Sequence, residues 1–257
     1  MNIFALIFGD LGPFSVGLAV VIGVVAGIVK GVVGFAMPMI LVSGLSSIMA
    51  PELALATLIL PTLATNGLQA LRQGWRAALV SIRQYWVFLV VGGTALVVAA
   101  QFVRVLPQSL FFLIIGVPVV GFALLQLSRR GISLPSASRR VEAMVALVAG
   151  TMGGLSGVWG PPTAAYLTAT NTPKAEQMRV QGVIYGLGSL ALVLAHVQSG
   201  VLRTETLPLS AFMVVPALVG MAIGTAIQDR IDQVMFRRAT LSVLLVVGLN
   251  LIRRGLT

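Results

Sequence analysis

Gly27-Ile28-Val29-Lys30-Gly31-Val32-Val33-Gly34-Phe35-Ala36-Met37-Pro38 is an apolar stretch broken where a helix would otherwise continue. The pattern returns at Gly150-Thr151-Met152-Gly153-Gly154-Leu155-Ser156-Gly157-Val158-Trp159-Gly160-Pro161. In both copies glycine stands at relative positions 1, 5 and 8 and proline at position 12; the copies start at residues 27 and 150 of a 257-residue chain. Glycine and proline are the poorest helix residues, yet each copy sits inside a long apolar run. Hydrophobic segments interrupted by Gly and Pro at matching places in two halves point to the binding region of a transporter.

The composition agrees with a membrane setting. Hydrophobic residues make up 58% of the chain, charged residues 9%, and the mean hydropathy is +1.02. A soluble domain carries roughly 25% charged residues. The expected fold class is therefore an all-α integral membrane protein of about eight to ten spans, each of ~20 residues. There is no cysteine, which excludes disulfides and thiolate chemistry. The net charge of +10 could suit nucleic acid, but the Lys and Arg lie between the apolar runs, as the positive-inside rule requires of a chain whose partner is the bilayer. Nucleic acid is not an expected partner. Residues 1–12 hold no Lys or Arg ahead of their apolar part, so no secretory leader is expected and the N-terminus is placed outside the cytoplasm.

The apolar runs are 14–33, 39–49, 53–71, 85–103 and 109–127, then 141–157, 163–171, 177–198, 207–227 and 236–252. Each half thus reads as one interrupted pair followed by three spans. The only long polar linker contains Arg129, Arg130, Pro135, Arg139 and Arg140. The division is a first membrane repeat, 1–128, a cytoplasmic connector, 129–140, and a second membrane repeat, 141–257.

Charge chooses the topology. If each Gly/Pro stretch lay within one continuous span, ten basic residues would face one side and six the other. If each is a hairpin tip, twelve share a side (Arg72, Arg76, Arg83, Arg129, Arg130, Arg139, Arg140, Lys174, Arg179, Arg230, Arg237 and Arg238) and four oppose them (Arg104, Arg203, Arg253 and Arg254). The larger bias favours the second reading. It makes the halves two inverted repeats, each a Gly/Pro-broken helical hairpin plus three transmembrane helices, with both termini outside.

A helix unwound inside a bilayer exposes amides that cost several kcal/mol each unless satisfied. New helices starting at Pro38 and at Pro161 would present free N–H groups, which attract anions. Gly31, Gly34, Gly154, Gly157 and Gly160 would let a ligand approach the backbone; the competing reading is that such glycines only pack helices. Met37 lies beside the first break. Lys30 within a span costs roughly 2.5–3.5 kcal/mol on insertion scales, so it is a candidate charge for an anion, or else it snorkels to an interface. Asn66 and Gln69 share a face at i, i+3, with Thr57 in the same run; Gln181 and Tyr185 do so at i, i+4. These polar groups either line a cavity or bond between helices. Arg179 either faces a cavity or anchors at an interface beside Glu176. Trp159, at the second break, either packs the tip or touches a ligand. His196 lies near a span end, which disfavours a proton relay.

All seven acidic residues (Asp10, Glu52, Glu142, Glu176, Glu205, Asp229 and Asp232) fall near span ends or in loops. A carboxylate cation site within the membrane is therefore not expected, and Lys30 and the helix starts both favour anions. With no Cys, one His and no intramembrane carboxylate pair, no enzymatic role, catalytic residue, metal site or cofactor is expected. No nucleotide-binding G-x-x-x-x-G-K-[ST] occurs.

The chain resembles the sulfite exporter TauE/SafE family of membrane permeases. The resemblance rests on Gly27–Pro38 followed by Ala50-Pro51-Glu52-Leu53-Ala54-Leu55-Ala56-Thr57, on Asn66-Gly67, and on Gly150–Pro161 followed by Pro173-Lys174-Ala175. It implies a multi-pass protein of the bacterial inner membrane that moves small anions, such as sulfite or organosulfonates. The expected mechanism is secondary transport by alternating access, one repeat moving against the other, with a small anion as substrate. The alternatives are a passive anion channel or a permease for a non-sulfur carboxylate anion. A proton or other ion could couple transport, although no residue marks its site, and nothing in the sequence points to an oligomeric state.

Overall fold

The computed structural model describes residues 11–100, 108–128, 138–156 and 159–256. These form eleven helices and no strand. They are α1 Pro13–Val33, α2 Met37–Leu45, α3 Pro51–Leu71, α4 Trp75–Gln84, α5 Trp86–Ala100, α6 Gln108–Leu127, α7 Arg139–Ser156, α8 Gly160–Ala169, α9 Lys174–Gln198, α10 Leu207–Arg230 and α11 Gln233–Leu256. The expected runs coincide with helices to within a few residues, because in a bilayer each apolar run must satisfy its own backbone. Most of the connector 129–140, together with Arg104, lies outside the described residues.

Among the described residues, five helices are long and apolar enough to cross a membrane, namely α1, Glu52–Leu71 of α3, α9, α10 and α11. The bent pair α4 and α5 makes up to six. The remaining expected runs are helical as well. α7 opens with Arg139, Arg140 and Glu142, and α2 and α8 hold nine and ten residues. At 1.5 Å per residue the last two extend about 14–15 Å, half of a ~30 Å hydrocarbon core. The basic segment 72–83, expected as a loop, is largely helical as α4.

The helices cluster into two compact units: Met1–Gln69 with Gly186–Arg230, and Ala70–Tyr185 with Ile231–Thr257. The first has a core of Ala26, Met37, Leu41, Leu45, Leu58, Met213 and Ala217. Here α1 packs along α10 through glycines on both sides. A Cβ on Gly27 would lie 2.3 Å from the Ala217 carbonyl oxygen, and one on Gly220 2.0 Å from that of Val24. Without a hydrophobic drive between helices in lipid, such close backbone contact supplies the association. Pro61 within α3 offers no N–H to the Thr57 carbonyl four residues back. Ser210 of α10 repairs the gap: its hydroxyl donates to the Thr57 oxygen at 3.4 Å and accepts the Leu60 N–H at 3.2 Å.

The second unit is built on Phe88, Ala146, Ala149, Tyr166, Leu167 and Val180. Its α7 packs along α5, with Gly150 so placed that a Cβ would sit 2.1 Å from the Gly92 oxygen. α6 packs along α11. The pairings have a regularity in the chain. The first helix of each sequence half packs with the helix of the fourth apolar run of the other half (α1 with α10, α7 with α5), and the last helices pack with each other.

Candidate functional site

The first break lies wholly in the first unit. α1 ends at Val33, and Gly34 takes the left-handed conformation at φ 88°, returning its N–H to the Lys30 carbonyl at 2.7 Å. Glycine has no Cβ penalty there. Ala36 is also left-handed, at φ 74°, before α2 begins at Met37 with Pro38 in its first turn. Proline suits that turn because its missing N–H leaves no orphan donor.

The polar groups expected on α3 meet this break. Lys30 is 1% exposed, and its Nζ donates to Asn66 Oδ1. Gln69, one turn further, donates from Nε2 to the Gly34 carbonyl at 3.2 Å. The i, i+3 spacing therefore sets one side chain on the Lys30 ammonium and the other on the unwound backbone. Thr65 belongs to the same cluster: its hydroxyl donates to Pro61 O at 2.7 Å and contacts Met37 Sδ at 3.8 Å. Its signal was present beside Asn66, but a threonine in an apolar helix is as often bonded to its own backbone. Thr57 is not brought to this cluster. Its hydroxyl donates to Leu53 O at 2.6 Å, nine residues before Asn66, about 13 Å along the helix axis. Gly31 faces α10 instead, where a Cβ would meet Met221 O at 2.4 Å, so at this position the packing reading applies.

The second break lies wholly in the second unit, and Gly157 is outside the described residues. Gly154 is half-buried within α7. Trp159 precedes α8 and is buried; its ring centroid lies 6.4 Å from that of Tyr185. A Cβ on Gly153 would come 2.8 Å from Trp159 Cε3, so the indole covers that glycine. Gly160 and Pro161 open α8, and the Tyr185 hydroxyl donates to the Gly160 carbonyl at 3.1 Å. Thr163 closes the first turn by donating to Trp159 O at 3.0 Å.

Gln181, one turn before Tyr185 on α9, is 0% exposed, and neither its amide nitrogen nor its amide oxygen has a hydrogen-bond partner among the described residues. Gln177 Nε2, a turn earlier, is in the same position. Buried amides normally find partners, which sets these two apart from the other polar groups of the second unit. Arg179 is directed elsewhere. Its Nε donates to Ser81 Oγ at 2.8 Å and its NH1 to Gln73 Oε1, which anchors α4 and the turn before it, while Glu176 accepts from Gln84 at 2.9 Å.

Among the described residues no group of three or more His, Cys, Asp or Glu could hold a metal ion. What the geometry offers is a buried ammonium with amides at one break, and unpartnered amides with a phenol and an indole at the other.

A family model described as sulfite exporter TauE/SafE matches residues 19–251, which takes in both breaks. No curated protein and no solved structure matches the chain.

Proposed function

Because the chain belongs to the sulfite exporter TauE/SafE family, a family of membrane transporters, we propose that it is a secondary transporter of small oxyanions, sulfite or organosulfonates, in the bacterial inner membrane. The observation that carries this reading is Lys30, a lysine enclosed within a span and held by Asn66 beside an unwound stretch of backbone. Lysine inside a span is costly and kept for a purpose, and the purpose that suits an ammonium is an anionic guest.

In this reading Lys30, Asn66, Gln69, Gly34 and the start of α2 at Met37 and Pro38 receive the charged end of the substrate. The second break, with Trp159, Gly160, Pro161, Gln181 and Tyr185, is a candidate binding place of the second unit taken by itself. Gly31, Thr57 and Arg179 support these elements rather than touch substrate. The two halves, 1–128 and 141–257, act as inverted repeats that alternate access, with 129–140 as their cytoplasmic connector. The regular exchange of partners between halves (α1 with α10, α7 with α5) supports that relation.

The test is flux of sulfite and of a small organosulfonate in proteoliposomes, over a range of substrate concentration, for wild type, Lys30→Met and Lys30→Arg. Saturable flux is expected, reduced about a hundredfold in Lys30→Met, as loss of a buried charge partner costs 2–5 kcal/mol, and partly retained in Lys30→Arg. Wild-type flux that never saturates would identify a channel, and no anion flux at all would overturn the reading.

A further inference from the structure

We propose that α4, with the basic residues around it, is an interfacial helix that binds the anionic headgroups of phospholipids. α4 and α5 pass together as one apolar segment but bend by 77° between Gln84 and Trp86. α5 is the apolar arm, and α4, ten residues long, extends only about 15 Å. With α5 along the membrane normal, an arm bent by 77° from it would run nearly in the membrane plane.

The two faces of α4 are unlike. One is fixed to its own unit: Ala78 and Ser81 are buried, Ser81 Oγ accepts from Arg179, and Gln84 Nε2 donates to Glu176. The other is open. Trp75, Leu79 and Val80 are 62%, 41% and 55% exposed, and Trp86 just past the bend is 54% exposed. Among these apolar groups stand exposed Arg72, Arg76 and Arg83.

The basic surface continues onto the start of α7. Arg139 donates to the Gln84 carbonyl at 2.9 Å with its side chain still 58% exposed, and Arg140 beside it is exposed. The acidic groups of this region are already engaged, Glu142 inward and Glu176 at the surface. Glu142 is buried, pairs with Arg139 and accepts the Phe88 N–H at 3.1 Å; Glu176 accepts from Gln84. Five guanidinium groups thus surround one short helix.

A face that met only water would not present two tryptophans, a leucine and a valine, and a face that met only acyl chains would not present arginines. The mixture fits the headgroup boundary, where apolar side chains dip inward and cations meet phosphate. Arginine adds a planar fork matched to phosphate oxygens. Lipid binding at this surface is independent of the transported substrate.

The experiment uses the full chain in nanodiscs of phosphatidylcholine with or without phosphatidylglycerol. The chain has no cysteine, so Leu79→Cys gives a single site for a spin label. The label is expected at headgroup depth, with a stronger contact to phosphatidylglycerol than to phosphatidylcholine. In detergent, added phosphatidylglycerol should raise the thermal midpoint, while phosphatidylcholine and inorganic phosphate should not. The triple variant R72Q/R76Q/R83Q should lose lipid selectivity by about tenfold or more, as juxtamembrane arginines each attract an anionic surface, and R72K/R76K/R83K should keep most of it. Equal response to both lipids, an equal response to inorganic phosphate, or a label in bulk water or shielded by protein in both bilayers would overturn the proposal. The label readout decides the matter even if the triple glutamine variant does not fold.

Discussion

The two breaks occupy equivalent places in the sequence repeat and are filled in opposite ways. At the first, the large residue is Lys30 and the small one Ala36. At the second, the corresponding positions are Gly153 and Trp159. Lys30 reaches Asn66, whereas Trp159 lies over Gly153 and against Tyr185. The backbone follows suit: Ala36 is left-handed at φ 74°, while Trp159 sits at φ −107°. A repeated interruption therefore repeats the break in the helix without repeating the chemistry around it. What the copies do share is position 1, where Gly27 and Gly150 each bring a helix against a neighbour's backbone.

The largest effect should come from that shared position. Gly27→Leu and Gly150→Leu would each drive a side chain into a carbonyl 2.3 Å and 2.1 Å from the first added atom. Each should cost about 3 kcal/mol or more, at or beyond the usual overpacking range because backbone cannot rotate away. The measurement is the yield of monodisperse protein and its thermal midpoint in detergent. Tolerance of one substitution and not the other would break the equivalence.

An intermediate effect belongs to the second break alone. Gly153→Leu should destabilise by about 1–3 kcal/mol through collision with the indole. Trp159→Ala opens the space that the leucine needs. The double variant should then be more stable than the sum of the two changes by about 1–2 kcal/mol, within the range for residues in contact. A thermal or denaturant double-mutant cycle checks this, and strict additivity would show that the ring and the glycine do not share that space.

The smallest effect belongs to the first break alone. Ala36→Gly relieves a left-handed alanine, a conformation that costs an L-residue roughly 1–2 kcal/mol, less the extra freedom that glycine loses on folding. A gain of up to about 1 kcal/mol is expected as a higher thermal midpoint. No gain would mean that the surrounding packing, not the alanine, sets the backbone there.

Helix positions were readable from the sequence because a span declares itself by length and apolarity. α4 escaped because its ten residues carry arginines near both ends and no apolar run longer than Ala77–Val80; its open face shows only once α9 is seen to hold the other. Asn66 and Gln69 were readable as a pair, since i, i+3 spacing needs no tertiary knowledge. Their targets were not. Thr57 shares their helix but bonds to its own backbone a few turns away, and Arg179, equally plausible as a cavity charge, anchors α4 through Ser81 and Gln73.

The sequence by itself determined a membrane protein of helices, interrupted twice at matching places, with its polar residues sparse enough to be candidates one by one. Those properties follow from local rules: apolar length, glycine and proline, and the cost of charge in lipid. Only the tertiary structure decided that Lys30 is held by a residue 36 positions away, that Gly31 packs against α10, and that Gln181 is enclosed without a partner among the described residues. The reason is that burial and hydrogen-bond partnership are properties of what surrounds a side chain, and the surroundings come from elements distant in the chain.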